Sequence, residues 1–221
     1  MENRSTEDYI KSIFQLGPDG GVVSTSALAR QLGVRNASIT GMLKSLALRN
    51  LVRYERYRGV SLTSRGRRIA LQTIRRHRLW EVFLIESLGY SWDQVHDEAE
   101  RLEHVTSHQL EKRLDRALGY PGFDPHGDPI PTVRGRIHVG SKTKLTDCHP
   151  GCTAVVRRVS DRNRGTLKLL ADMGLGIDTR VRVTEKGKPG GSITIMVGRK
   201  RRLLDRQIAE SIFVDTGRER P

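Results

Sequence analysis

Apolar residues recur every three or four positions through most of the first 120 residues and then give way to alternation, so the chain divides into a helix-built part and a strand-built part. Tyr9, Ile10, Ile13 and Phe14, with Leu16, line one face of a first helix, which Ser5-Thr6-Glu7-Asp8 can cap. Ala27, Leu28 and Leu32 mark a second, short helix over 24–32, stopped by Gly33-Val34. A third is predicted over 36–49, with Ile39, Met42, Leu43 and Leu46 facing inward. The stretch 51–62 then reads as two short strands joined near Arg56 and Arg58, and Thr63 caps a long helix that runs through His77 and Glu81. Four of the eight prolines and four glycines fall within 119–135, a composition that ends helices and reads as a tether. Beyond it, 153–159, 180–184 and 192–197 look like strands, with Gly187, Gly190 and Gly191 punctuating a hairpin. Short strands packed into so few residues suggest a small barrel.

Charge sharpens this outline. The 221 residues include 39 Lys and Arg against 25 Asp and Glu, a net charge of +14 that points to an anionic partner, nucleic acid before membrane surface. No apolar run approaches the roughly 20 residues needed to cross a bilayer, and the polar start Met1-Glu2-Asn3-Arg4 is no secretory signal. The expectation is a cytoplasmic protein with no membrane partner. Cys148 and Cys152, the only cysteines, flank a Pro-Gly turn. A structural zinc site wants four soft ligands and a disulfide wants an oxidising compartment, so two reduced thiols are expected, with redox sensing the weaker reading.

The first 75 residues fit a winged helix. The outward positions of the third predicted helix are Ser38, Thr40, Gly41 and Lys44, preceded by Arg35 and Asn36, all small or hydrogen-bonding side chains able to approach base edges in a major groove. Arg56 and Arg58 would sit near the wing tip, within reach of phosphates. Helix-turn-helix units also serve as packing or docking modules, but residues 1–72 hold twelve Lys and Arg against five Asp and Glu, which favours DNA.

Against this basic background, residues 81–115 carry nine acids and three bases. Within them, His96, Glu100, Glu103 and His104 stand at offsets of 0, 4, 7 and 8, one face of a helix if the segment is helical throughout. Such a cluster of nitrogen and carboxylate donors suits a divalent cation; a solvated acidic face is the plainer alternative. His77 and Glu81, four apart on the preceding helix, gain weight from that neighbour, since two antiparallel helices could present all six groups to each other. Asp8 can serve either as a ligand or as part of a capping box.

Several segments together resemble the diphtheria-toxin-repressor family of metal-dependent transcriptional regulators over nearly the full length of the chain. They are Ser5-Thr6-Glu7-Asp8-Tyr9-Ile10, the helix-turn-helix, Arg76-His77-Arg78-Leu79, His96-Asp97-Glu98-Ala99 with Glu103-His104, and Asp128-Pro129-Ile130-Pro131. The C-terminal region is similar to the family's SH3-like domain, in the variant shared with ferrous-transport accessory proteins. By position, the resemblance implies that His77, Glu81 and His96 form an ancillary metal site and that Asp8, Glu100, Glu103 and His104 form the primary, activating one. The iron-responsive branch has methionine where Asp8 stands and cysteine where Glu100 stands, while the manganese-responsive branch has these two acids. Hard oxygen ligands suit Mn²⁺, with Fe²⁺ the alternative effector. Asn163 and Thr166 stand where some relatives place a glutamate and a glutamine, so no ligand is assigned in the barrel. Lys11 stands where a short manganese regulator has an acid.

The resulting expectation is a mainly α protein with a small all-β domain. It comprises a winged helix-turn-helix at 1–72, a helical metal-binding and dimerisation domain at 73–120, a Pro/Gly-rich tether at 121–143 and an SH3-like barrel at 144–217. It would act as a homodimeric repressor that binds double-stranded operator DNA when Mn²⁺ is bound. Two rivals from other classes are a di-metal enzyme and a metal-independent winged-helix nucleic-acid binder. The first lacks His-Glu-x-x-His, paired Glu-x-x-His motifs and an obvious nucleophile.

Overall fold

The computed structural model describes residues 2–17, 20–160, 164–188 and 191–217, and the backbone alone of Arg164. It separates into two compact units, each described by itself.

The first comprises Met1–His77, Glu100–Glu111 and Pro131–Arg136. Helix α1 (Arg4–Leu16) starts two residues earlier than a cap at Ser5 would place it, because the Asn3 side chain accepts from Thr6 N at 2.9 Å and so caps it. This frees Asp8 from the capping box considered above. Helix α2 (Thr25–Leu32) is capped by Ser24 and closed by Gly33 at φ +65°, a left-handed position that glycine takes without strain. Helix α3 (Asn36–Leu48) buries Ile39, Leu43 and Leu46 completely, and Met42 only partly. Strands β1 (Val52–Glu55) and β2 (Gly59–Leu62) form the antiparallel wing, which is tied back by the Val23–Val60 bridge. The Thr63 hydroxyl accepts from Gly66 N at 3.1 Å and opens helix α4 (Ser64–Leu88). Ile10, Ile13, Leu28, Ile39, Leu43 and Leu46 share one apolar core, so α1 is packed together with the helix pair that carries the recognition face.

The second unit holds Arg78–Ala99, Lys112–Ile130 and Ile137–Pro221. Its small helical core joins Leu79 and Val82 of α4 to Leu114 of α6 (His108–Ala117) and to Ile130. Its larger core lies under a five-stranded antiparallel sheet of β3 (Thr153–Val159), β4 (Arg180–Lys186), β5 (Ile193–Val197), β6 (Lys200–Leu204) and β7 (Ile212–Asp215), in the order β6-β5-β4-β3-β7. Val156, Val181, Val183, Ile195, Leu204 and Val214 alternate inward to form that core. Helices α7 (Arg164–Asp172) and α8 (Arg206–Glu210) complete the domain.

The mainly helical chain with a small all-β domain matches the expectation, with two corrections. No pairing joins β6 to β7 among the described residues, so the sheet is open and not a closed barrel. Residues 122–130, read as part of a plain tether, fold into a turn. It is closed by the Phe123–Pro129 bridge and by Asp124 Oδ1, which accepts from His126 N and Asp128 N, both at 2.9 Å. Gly127 at φ +84° permits this, because a Cβ there would lie 2.0 Å from Arg157 O. Asn163 and Gly190 lie outside the described residues.

Candidate metal centre

Helix α5 (Val95–Leu102) ends sooner than the acid-rich pattern suggests. The Thr106 hydroxyl donates to Leu102 O at 2.6 Å and Val105 N to the same carbonyl at 3.2 Å, which turns the chain after Leu102. Glu103 and His104 therefore sit in a turn, and the expectation that they share a helical face with His96 and Glu100 is corrected. They part company with His96: its Nδ1 meets Glu81 Oε1 at 3.3 Å.

The turn delivers Glu103 and His104 to α1 and to the first half of α4. Asp8, Glu103 and His104 offer ligand atoms that all lie within 4.8 Å of one another. His104 Nδ1 is fixed by Glu7 Oε2 at 2.7 Å, which leaves Nε2 pointing towards Asp8 Oδ1 at 2.9 Å and Glu103 Oε1 at 3.3 Å. That Nε2 is buried and makes no hydrogen bond of good geometry. A ring nitrogen held between two carboxylate oxygens calls for a cation between them, either a proton or a metal ion. Burial works against the imidazolium, yet Asp8, Glu7 and Glu103 outweigh it and lift the pKa of His104 from 6.5 to about 9.

Glu103 is completely buried, and Lys11 Nζ lies 2.9 and 2.7 Å from its two oxygens, with His77 Nδ1 at 2.5 Å from Oε2. Burial raises its pKa, but His77 and Lys11 prevail and hold it below the usual carboxylate range. Lys11 also reaches Glu100 Oε1 at 3.6 Å. Glu7 is buried beside Arg76 at 3.5 Å, and Arg76 donates to Glu103 O at 2.9 Å. The sequence alone marks Glu7 only as a capping residue and Lys11 only as a departure from the family pattern; their signal is position, one before and three after Asp8 on the same turn of helix.

In the second unit Glu81 is fully buried, with His96 on one side and His126 Nδ1 3.8 Å from Oε2 on the other. Ligand atoms of Glu81, Asp124 and His126 lie within 4.8 Å of one another. Burial and the nearby Glu81 push the Asp124 carboxyl up to about 8, with Arg78, 3.2 Å away, opposing them. His126 stacks on Trp92 at 5.3 Å between ring centroids. Neither Asp124 nor His126 stood out in the sequence, since both lie in the Pro/Gly-rich segment. His77 stands one helical turn before Glu81 on the same face of α4, as expected, and its Nδ1 meets Glu103.

All but one of the expected DNA-contacting residues are exposed. Arg35, Asn36, Ser38 and Lys44 face solvent along α3, with Thr40 half-buried. Arg56 and Arg58 flank Tyr57 at the wing tip, and Arg58 also pairs with Glu55 at 3.0 Å. The Cys148 thiol is buried, and burial together with Cys152 pushes its pKa up to about 12, so it is unreactive at neutral pH. No helix among the described residues is long and apolar enough to cross a membrane.

Comparison with known proteins gives three family matches in sequence order: the N-terminal DNA binding domain of iron dependent repressors over residues 1–60, their metal binding and dimerisation domain over 63–132, and a FeoA domain over 143–216. The chain is 29% identical to the iron-dependent repressor IdeR of Mycobacterium tuberculosis, over 96% of each chain. It is 36% identical to the HTH-type transcriptional regulator MntR of Oceanobacillus iheyensis over 54% of this chain and 81% of that one. Among solved structures, a manganese-dependent transcriptional repressor in complex with manganese matches with a TM-score of 0.88 and 38% identity, over 96% of this chain and 99% of that one.

Proposed function

The chain belongs to the iron-dependent repressor family of DNA-binding transcriptional regulators, and on that premise we propose that it is a manganese-responsive repressor whose Asp8, Glu100, Glu103 and His104 hold the activating ion. The donor set fits: three carboxylates and one imidazole are hard and borderline ligands of the kind Mn²⁺ and Fe²⁺ take, with no thiolate or thioether to favour a later metal. The observation that carries the reading is the buried His104 Nε2, which makes no hydrogen bond of good geometry and lies between Asp8 Oδ1 and Glu103 Oε1.

When bound, a divalent ion supplies positive charge to acids that otherwise repel one another, by about 4 kcal/mol per pair at 4 Å under an effective dielectric near 20. The chain's own groups do the rest. Glu7 holds the His104 ring through Nδ1 and so aims Nε2 at Asp8. Asp8 belongs to α1, whose apolar face shares a core with α2 and α3, so fixing Asp8 fixes the helix that supports the recognition surface. Arg35, Asn36, Ser38, Thr40 and Lys44 would then read base edges, and Arg56 and Arg58 would contact phosphates. In the homodimer, the position of α1 sets the spacing of the two recognition helices against successive major grooves. A switch from about 1% to 99% competent needs roughly 5.5 kcal/mol of differential affinity, within reach of a multidentate site.

Around Glu81 we assign an ancillary cation position to His77, Glu81 and His96, and add Asp124 and His126 as donors on the other side of the same carboxylate. Iron responsiveness is the second reading, favoured by the similarity to the mycobacterial repressor over nearly the whole chain. Titrating operator binding with Mn²⁺, Fe²⁺, Zn²⁺ and a chelator at fixed salt tests both. Mn²⁺ should drive binding in the wild type, and Glu103→Ala or His104→Ala should abolish the stimulation; undiminished stimulation in both variants would overturn the assignment.

A further inference from the structure

Lys11 is unusual company for a set of metal ligands. Its side chain is 6% exposed and ends within the cluster, 2.9 and 2.7 Å from the two oxygens of Glu103, 3.6 Å from Glu100 Oε1 and 3.3 Å from His77 Nδ1. Two carboxylates and an imidazole nitrogen surround Nζ, and the same donor types meet on the other side of Glu103, where Asp8 Oδ1 and Glu103 Oε1 face His104 Nε2. Glu103 thus stands between two cation positions: one beside Asp8 and His104, the other filled by an ammonium.

We propose that the Lys11 ammonium is a built-in cation that occupies the place of a second divalent ion, so that the Asp8–Glu100–Glu103 cluster takes one divalent ion per chain and not a pair. The inference rests on the reading of this cluster as the activating metal centre and adds its stoichiometry. Charge supports it. Three carboxylates and one ammonium leave two negative charges, which a single divalent ion cancels, while Glu7 is already balanced by Arg76. With Lys11 retained, a second ion would leave two uncompensated positive charges in a site whose central carboxylate is fully buried, an arrangement proteins avoid. Reversing the charge at position 11 removes the occupant and adds a donor, so the vacated position between Glu100 and Glu103 should accept metal.

The test uses the full chain with Mn²⁺ alone. Bound Mn²⁺ is counted by equilibrium dialysis, and electron paramagnetic resonance distinguishes isolated ions from an exchange-coupled pair that shares a carboxylate. The wild type should show only isolated ions. Lys11→Glu should bind one Mn²⁺ more per chain than the wild type and show the coupled signal; Lys11→Gln should bind the extra ion more weakly, at higher Mn²⁺. A coupled pair in the wild type would overturn the proposal, as would an unchanged count in both variants, even if Lys11→Gln bound its ion more tightly, since Lys11 would then be only a competitor. Should Lys11→Glu fail to fold, the wild-type spectrum and Lys11→Gln still decide. If the wild type bound no Mn²⁺ that Glu103→Ala removes, the metal-centre reading itself would be at fault and this inference would fall with it.

Discussion

The helical region and the sheet domain solve the packing problem in opposite ways. Residues 2–136 bury Glu7, Lys11, Arg76, His77, Glu103 and Glu111 among other charged or titratable side chains, whereas among the described residues of 144–217 the only buried polar side chain is Thr194. The sheet core is held by apolar area, which is indifferent to ions. The helical region is held partly by a charge network whose sum changes when a cation arrives, and only such a network can make conformation depend on metal. The difference teaches where the switch can lie: in the part whose stability is conditional.

The largest effect should come from setting the two regions against each other. Glu103→Gln leaves the buried Lys11 with only the half-exposed Glu100, 3.6 Å away, as counter-charge, and losing one partner of a buried pair costs about 3–5 kcal/mol. Ile195→Ala in the sheet core should cost about 2–5 kcal/mol by cavity formation. Calorimetry with and without Mn²⁺ separates them: Mn²⁺ should raise the melting temperature of Ile195→Ala as much as that of the wild type, and that of Glu103→Gln hardly at all. An equal Mn²⁺ response in both would erase the contrast.

A second test uses pH. The metal-free His104 pKa of about 9 exceeds the ordinary histidine value of 6.5, so the stability His104 contributes without metal is fully present below about pH 6.5 and is lost as pH rises through about 9. Metal needs the neutral ring, so Mn²⁺ affinity should move the other way, rising about tenfold per pH unit up to about pH 9. Isothermal titration in buffers of different ionisation enthalpy should register the released proton. A flat affinity between pH 7 and 9 would remove His104 from the ligand set.

The smallest effect on stability is expected at the wing. Arg56→Ala and Arg58→Ala should change folding by less than about 0.5 kcal/mol, yet each should lower the slope of log affinity against log salt by about one. Ser38 or Thr40 variants should instead change preference between operators. Uniform losses in both sets, measured by fluorescence anisotropy at several salt concentrations, would mean that α3 is not the reader.

Much of this was legible in the sequence because periodicity reports local structure. The helices α1 to α4 follow their apolar stripes, and β3 matches its alternating run residue for residue. What periodicity cannot report is where an element stops for a side-chain reason. One hydroxyl, that of Thr106, ends α5 at Leu102 and separates His96 from Glu103 and His104, so a single apparent face became two places. The same limit hid Asp124 and His126, which a turn without any period buries. Closure of a sheet depends on whether its outer strands pair, and alternation within each strand carries no such information; hence the expected barrel is open. Lys11 was visible as a residue but not as an occupant, since its meaning comes from groups 66 and 92 positions away.

An open sheet has two margins where backbone donors and acceptors could recruit a strand from another copy. Along β7 the chain itself supplies a partial hem: Ser141 donates to Val214 O, Val214 N donates to Thr143 O at 2.9 Å, and Lys144 bridges Phe213. The β6 margin has no such cover among the described residues, but it carries Lys200, Arg201 and Arg202 in succession, just after Arg199. Two such margins meeting would align like charges, the means by which natural sheets discourage edge-to-edge aggregation. That basic run therefore earns its place as a guard on solubility, one that concentrated salt or a polyanion would lower.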